Sequence, residues 1–337
     1  MQKKRNFLKS AGMMLLLSAT IGEGVMAQDV KNNDTTTFHP HGAPVVTVFS
    51  NFHVNGSDKT AYGFEMERAY LGYQFDFAKN FSGKMVFDIG KSSDVGDLQR
   101  IAYVKNAFLD WHPGKLSLKA GLIGLTQFDA QEKLWGHRYI MKSFMDEYKF
   151  GSSADLGLSV TYKFVNWFSA DVEIVNGEGY KKLQLDNRLL YAVGLTFHPV
   201  KAMTIRAYGD INAPSADSLK PQDNLSLFIG WKQDKFAIGA EGNYLLNKSY
   251  VEAHHQMGAS VYGSVNVATQ FELFARWDLL TSQDKWNEGK DGQCALLGFQ
   301  YQPVKQIKIA PDARLWVPAA TDSKIQWGAY LNLEMKL

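Results

Sequence analysis

Cysteine is nearly absent: Cys294 is the only one in 337 residues, so no disulfide can form within the chain. A fold of this size must be held by packing and hydrogen bonding rather than by covalent staples. Long apolar runs are missing too. Beyond residue 27 no stretch approaches the roughly 20 apolar residues that a membrane-spanning helix needs. Nor is there a charge excess, with 36 Lys and Arg against 34 Asp and Glu. That balance argues against a nucleic-acid partner.

The first residues are of another kind. Lys3, Lys4, Arg5 and Lys9 precede an apolar run from Ala11 to Ile21, and Val25, Met26 and Ala27 follow it. This order reads as a secretory signal peptide over residues 1–27. Position 28 is Gln, not the Cys that lipidation requires. Setting aside the four basic residues and one acid of this segment leaves 32 basic against 33 acidic side chains. Residues 28–42 are polar and without period, as in a flexible lead.

From residue 43 to the end the chain alternates apolar and polar residues. In the last stretch Ile325, Trp327, Ala329, Leu331, Leu333, Met335 and Leu337 share one parity, and Gln326, Gly328, Tyr330, Asn332, Glu334 and Lys336 the other. Side chains of a strand alternate with period two, so one face is oily and the other wet. Sixteen such stretches are expected, at 43–54, 64–78, 81–91, 101–112, 115–124, 155–164, 167–176, 188–198, 202–211, 224–232, 235–246, 256–267, 270–280, 292–302, 305–316 and 324–337.

Their connections switch between tight and long. Lys79-Asn80, His112-Pro113-Gly114, Val165-Asn166, Gln233-Asp234 and Pro303-Val304 are hairpin turns. The other set is longer and polar. A soluble β-sandwich also alternates in hydropathy, but it does not need this strict rhythm of connections. The pattern predicts an all-β fold: a transmembrane antiparallel up-and-down β-barrel of about 16 strands over residues 43–337, in an outer membrane and in contact with its lipid. Short turns are periplasmic in such barrels, which would put both chain ends on the periplasmic side.

The wet parity carries the candidate functional residues. Arg68, Lys84, Lys119, Arg206, Arg276 and Arg314 fall on it, together with Asp76, Asp88, Asp171, Glu173, Asp210, Glu241, Glu272, Asp278 and Asp312. Ionisable groups at membrane depth mark a hydrated interior. The mixed signs predict weak overall selectivity. Residues 127–155 break the rhythm with apolar side chains such as Leu134, Trp135, Tyr139 and Phe144. This long third external loop is expected to fold inward and present Glu132, Arg138 and Lys142 to a passing solute. An external loop packed on its neighbours, or on another subunit, is the plainer reading of it.

No spacing singles out a catalytic triad or nucleophile, so no catalytic residue is expected. His39, His41, His254 and His255 lack companion ligands, so neither a metal site nor a cofactor is expected.

The stretches MERAYLGYQFDF, FSGKMVFDIG and VKNAFLDWHPGKLSLKAGLIGLTQFDAQE, within residues 60–165, resemble the early strands of the phosphate-selective porin O and P family. The resemblance implies a sixteen-stranded homotrimer with an inward third loop, through which small hydrophilic solutes, including anions such as phosphate, diffuse passively. Arg68, Lys84 and Lys119 match the inward basic residues of that family, while Asp76, Asp88 and Glu132 stand near them. The last strand resembles the assembly signal of outer-membrane proteins, which implies the barrel-assembly machinery as a folding partner. An outer-membrane barrel enzyme, or an adhesion or assembly component, are the alternatives.

Overall fold

Alternation of this length leaves each strand with one face to cover, and a chain of hairpins leaves two unpaired edges unless the first strand meets the last. The computed structural model, which describes residues 38–91, 100–184, 187–214, 216 and 218–337, has that arrangement. Its strands are β1 His41–Gly56, β2 Thr60–Ala78, β3 Phe81–Lys91, β4 Arg100–Trp111, β5 Leu116–Gly124, β6 Ala154–Val165, β7 Phe168–Val175 and β8 Leu190–Phe197. They continue as β9 Met203–Asn212, β10 Gln222–Gln233, β11 Phe236–Leu246, β12 Gln256–Ala268, β13 Phe271–Ser282, β14 Gly292–Val304, β15 Ile307–Pro318 and β16 Gln326–Lys336. Each pairs with the next, and β1 pairs antiparallel with β16 from Thr47↔Lys336 to Gly56↔Trp327. The result is a closed sixteen-stranded antiparallel barrel.

The expected strands match these within a few residues. The largest difference is at β2, which begins at Thr60 rather than 64. Asn55 and Gly56 pair with Ala61 and Thr60, so the hairpin runs on and leaves only residues 57–59 to connect β1 and β2. β1 starts at His41, inside the expected lead. The signal peptide, lead residues 28–37, residues 92–99 of the β3–β4 connection, residues 185–186 and residues 215 and 217 lie outside the described residues.

Parity holds on the outer face. Leu156, Leu158, Val160, Tyr162 and Phe164 of β6 are all exposed, as are Leu225, Leu227 and Ile229 of β10 and Leu331, Leu333 and Met335 of β16. Aromatic rings sit near the short turns: Phe81 stacks on Trp111, and Phe168 lies between Phe164 and Phe197. An apolar belt bounded by rings is what a bilayer interior and its interface favour. Among the described residues no helix is long and apolar enough to cross a membrane.

Several register shifts lie beside the short turns, and two bulges in mid-strand alter the inner face. The ladder of β1 and β2 runs Phe49↔Arg68 and then Ser50↔Met66, leaving Glu67 as the extra residue. That of β3 and β4 runs Val86↔Asn106 and then Phe87↔Val104, leaving Lys105. A bulge puts two neighbouring side chains on one face. Glu67 accepts from Asn51 Nδ2 at 2.9 Å, and Lys105 Nζ lies 3.4 Å from the Tyr70 hydroxyl, so both join the interior.

Candidate functional site

The connection between β5 and β6 carries two short helices, α1 Asp129–Trp135 and α2 Phe144–Glu147. Its apolar side chains have partners on the inner face. Trp135, Tyr139 and Ile140 form one buried cluster with Phe49 of β1, Phe228 of β10, Tyr262 of β12, Phe274 of β13 and Leu296 of β14. Phe144, Met145 and Phe150 form a second with Leu245 and Leu280.

Glycines make room for these contacts. A Cβ on Gly239 would stand 2.6 Å from Leu134, and one on Gly258 only 2.0 Å from Phe144. Both distances are too short for real Cβ contacts, so a side chain at either position would force Leu134 or Phe144 to shift.

Polar anchors complete the seat. Tyr139 donates its hydroxyl to Gln300 Oε1 at 2.8 Å, Tyr148 to Asp278 Oδ2 at 3.0 Å, and Tyr262 to the Gln131 carbonyl at 3.1 Å. Arg276 reaches the Lys142 carbonyl through Nη1 at 2.5 Å while its Nε and Nη2 hold both oxygens of Asp278 at 2.8 Å. Where the segment leaves β5, the Thr126 hydroxyl donates to Asp171 at 2.6 Å and its amide to Glu173 at 3.1 Å. Asp171 is in turn gripped by Arg206 at 2.7 and 2.9 Å.

Arg206 and Arg276 therefore correct the expectation that both line a pore. Each is only 4% exposed and paired with a carboxylate. Parity put them on the inner face correctly, but Arg276 is covered by the segment and Arg206 is buried against Asp171, Thr196 and Tyr208. A buried pair of this kind is costly to break, because the remaining charge is left without compensation.

The other expected residues surround open space. A cavity of about 910 Å³ at the short-turn end is bordered by Lys84, Lys105, Lys308, Lys336, Glu132 and Arg138, among others. A second, of about 580 Å³ toward the long connections, is bordered by Glu67, Arg138, Lys142, Glu147 and Arg314. A third, of about 260 Å³, is bordered by Arg68, Lys142, Asp146, Lys149 and Tyr180. Arg138 touches the first two and Lys142 the last two. Lys119 is on the inner face over the Phe108 ring, 5.8 Å from its centroid.

Charge on this side is uneven. The 910 Å³ cavity is bordered by seven basic side chains and two acidic ones. The basic groups are held by rings and hydroxyls as well as by acids. Arg68 donates to the Tyr70 hydroxyl at 3.0 Å and faces Asp88 at 3.3 Å. Lys105 lies over the Tyr70 ring at 4.9 Å, Lys308 over Tyr139 at 5.5 Å and Arg314 over Tyr330 at 3.8 Å. A ring face attracts a cation without cancelling its charge.

Arg138 bridges Glu132 and Asp146, the latter at 2.6 Å. Burial pushes the Asp146 carboxyl up, but Arg138 and then Lys142 outweigh it and hold it below the usual carboxylate range. Burial likewise works against the Arg138 charge, and Tyr70, Glu132 and Asp146 more than restore it.

Glu67 and Lys105 are the wall residues that parity missed. The signal was in the sequence: Glu67-Arg68 and Lys105-Asn106 are adjacent polar pairs inside otherwise alternating strands.

No protein-family model matches the chain, and no curated protein matches it in sequence. Solved structures do match in fold. The anion-selective porin from Comamonas acidovorans aligns with a TM-score of 0.70 at 8% identity, over 89% of this chain and 100% of that one. OmpF of Salmonella typhi, solved with daunomycin, gives 0.67 at 10% identity, over 87% and 97%. OprB of Pseudomonas putida gives 0.67 at 9% identity, over 88% and 94%. At such identities the likeness is one of architecture.

Proposed function

We propose that this barrel is an outer-membrane channel through which small hydrophilic solutes diffuse passively, with a preference for anions. The observation that carries the reading is the segregation of charge. On one side of the interior Arg206 and Arg276 are buried and paired with Asp171 and Asp278. On the other, cations outnumber acids around the open cavities. Like charge focused in a low-dielectric passage raises the local concentration of its counter-ion.

In this reading the segment between β5 and β6 crosses the interior and sets the narrowest point, where Arg138 borders both larger cavities. Its contacts with β1 on one side and β10 on the other support the crossing. The apolar outer belt supports insertion in lipid, and an outer-membrane location follows from the barrel form. The porins of like fold support the same reading, the Comamonas protein being described as anion-selective. The long connections would face outward and both chain ends the periplasm, after removal of residues 1–27. Trimerisation and delivery by the assembly machinery belong to the same proposal.

Planar-bilayer recording of the purified protein tests it. Discrete conductance steps are expected, and an inert bilayer at high protein load rejects the reading.

A further inference from the structure

The covered wall contains one place where acceptors meet no donor. Asp171 and Asp278 are each gripped by an arginine, and Glu272 faces His137 at 3.4 Å. Glu241 on β11 differs. It is only 4% exposed, its Oε2 accepts from Asn243 Nδ2 at 3.0 Å, and its Oε1 has no hydrogen-bond partner. No salt bridge reaches it among the described residues.

Amide oxygens around it are in the same condition. Asn243 Oδ1, Asn224 Oδ1 and Gln131 Oε1 are all buried without a partner. The register brings these residues together. Gln131 of α1 donates through Nε2 to Ser226 Oγ at 3.5 Å, Ser226 lies directly opposite Asn243, and Asn243 bonds Glu241. Asn224 is two residues from Ser226 on the same face of β10 and turns its amide nitrogen to both oxygens of Asp210 at 3.1 Å.

A buried carboxylate oxygen and several buried amide oxygens that all lack donors constitute an electron-rich site to which no positive group is bonded, the Arg276 guanidinium nearby being taken up by Asp278. Turning over the Asn243 amide makes it worse, since that would set its oxygen against Glu241. A cation between Glu241, Asn243 and Gln131 satisfies these three. With oxygen as the sole ligand type and the Glu241 carboxylate beside the amides, the chemistry is that of a hard cation.

We propose that Glu241, Asn243 and Gln131 bind a calcium-type cation between β11 and α1. The ion ties the segment to the wall at a point where no direct salt bridge does.

The test is equilibrium dialysis of full-length, chelator-treated protein against radioactive calcium. The unsubstituted barrel is expected to hold about one ion per chain more than Glu241→Gln, and calcium should raise its unfolding temperature but not that of the variant. Crystals of the unsubstituted protein grown with calcium provide a readout independent of the variant's folding. An anomalous peak among these oxygens, at about 2.3–2.6 Å from them, is the expected result. Equal calcium binding by both proteins, or a water molecule alone at the site, overturns the proposal.

Discussion

The wall of β7–β13 and the wall running from β14 through β1 to β4 carry the same kinds of side chain and use them in opposite ways. In the first, Arg206 and Arg276 are buried and paired with Asp171 and Asp278, and Arg276 lies against the α1–α2 segment. In the second, Lys84 and Lys105 stand beside open space with no salt bridge among the described residues, and Lys308 does so while paired with Glu334 at 3.1 Å. The same cation is thus a fastener where it is covered and a source of field where it is wet. A chain with nearly equal numbers of acids and bases can hold an anion-favouring passage, because only the unpaired and uncovered charges act on a solute.

The comparison can be broken most severely at its fasteners. Asp278→Ala leaves Arg276 buried without its partner and frees the Tyr148 anchor, so the barrel should lose roughly 3–5 kcal/mol against urea. Arg276→Met with Asp278→Leu should recover most of that, and a double-mutant cycle in lipid vesicles measures it. If the single variant unfolds like the parent, the pair is no fastener.

Next comes the glycine seat. Gly258→Val and Gly239→Val each put a side chain where Phe144 or Leu134 now rests, at a cost of about 1–3 kcal/mol. With the segment lifted, single-channel conductance should rise. An unchanged conductance would place the segment away from the conducting path.

These seats also show where the sequence was legible. Alternation located sixteen strands and sorted outer from inner faces, because a period of two survives any amount of tertiary packing. It placed Arg206 and Arg276 on the inner face but could not say that they were buried, since the cover of Arg276 comes from Lys142, 134 residues away along the chain, and that of Arg206 from neighbouring strands. It missed Glu67 and Lys105 because a bulge shifts parity by one, and only the adjacent polar pairs hinted at that. The apolar residues of 127–155 announced that the loop packs on something, while the glycines that receive it looked like ordinary strand residues.

Smaller effects should sharpen the wet side. Lys84→Glu with Lys105→Glu should move the reversal potential toward cation preference while changing stability by only about 0.5 kcal/mol. The paired, covered Arg206→Met is the contrasting case, with altered stability and unaltered selectivity. Acid should act on the Arg138–Asp146 pair. Because Asp146 is held below its unfolded value, the pair contributes fully above about pH 4 and is lost as pH falls through the lower folded-state value. Conductance should therefore become noisier only in strong acid, and Asp146→Asn should be noisy throughout and blind to that change.

The most direct test is the zero-current potential of the unsubstituted channel across a gradient of potassium chloride. Charge segregation predicts a potential whose sign reports chloride passing more readily than potassium, fading as salt screens the wall. A potential of zero, or one of the sign set by potassium, would contradict the account.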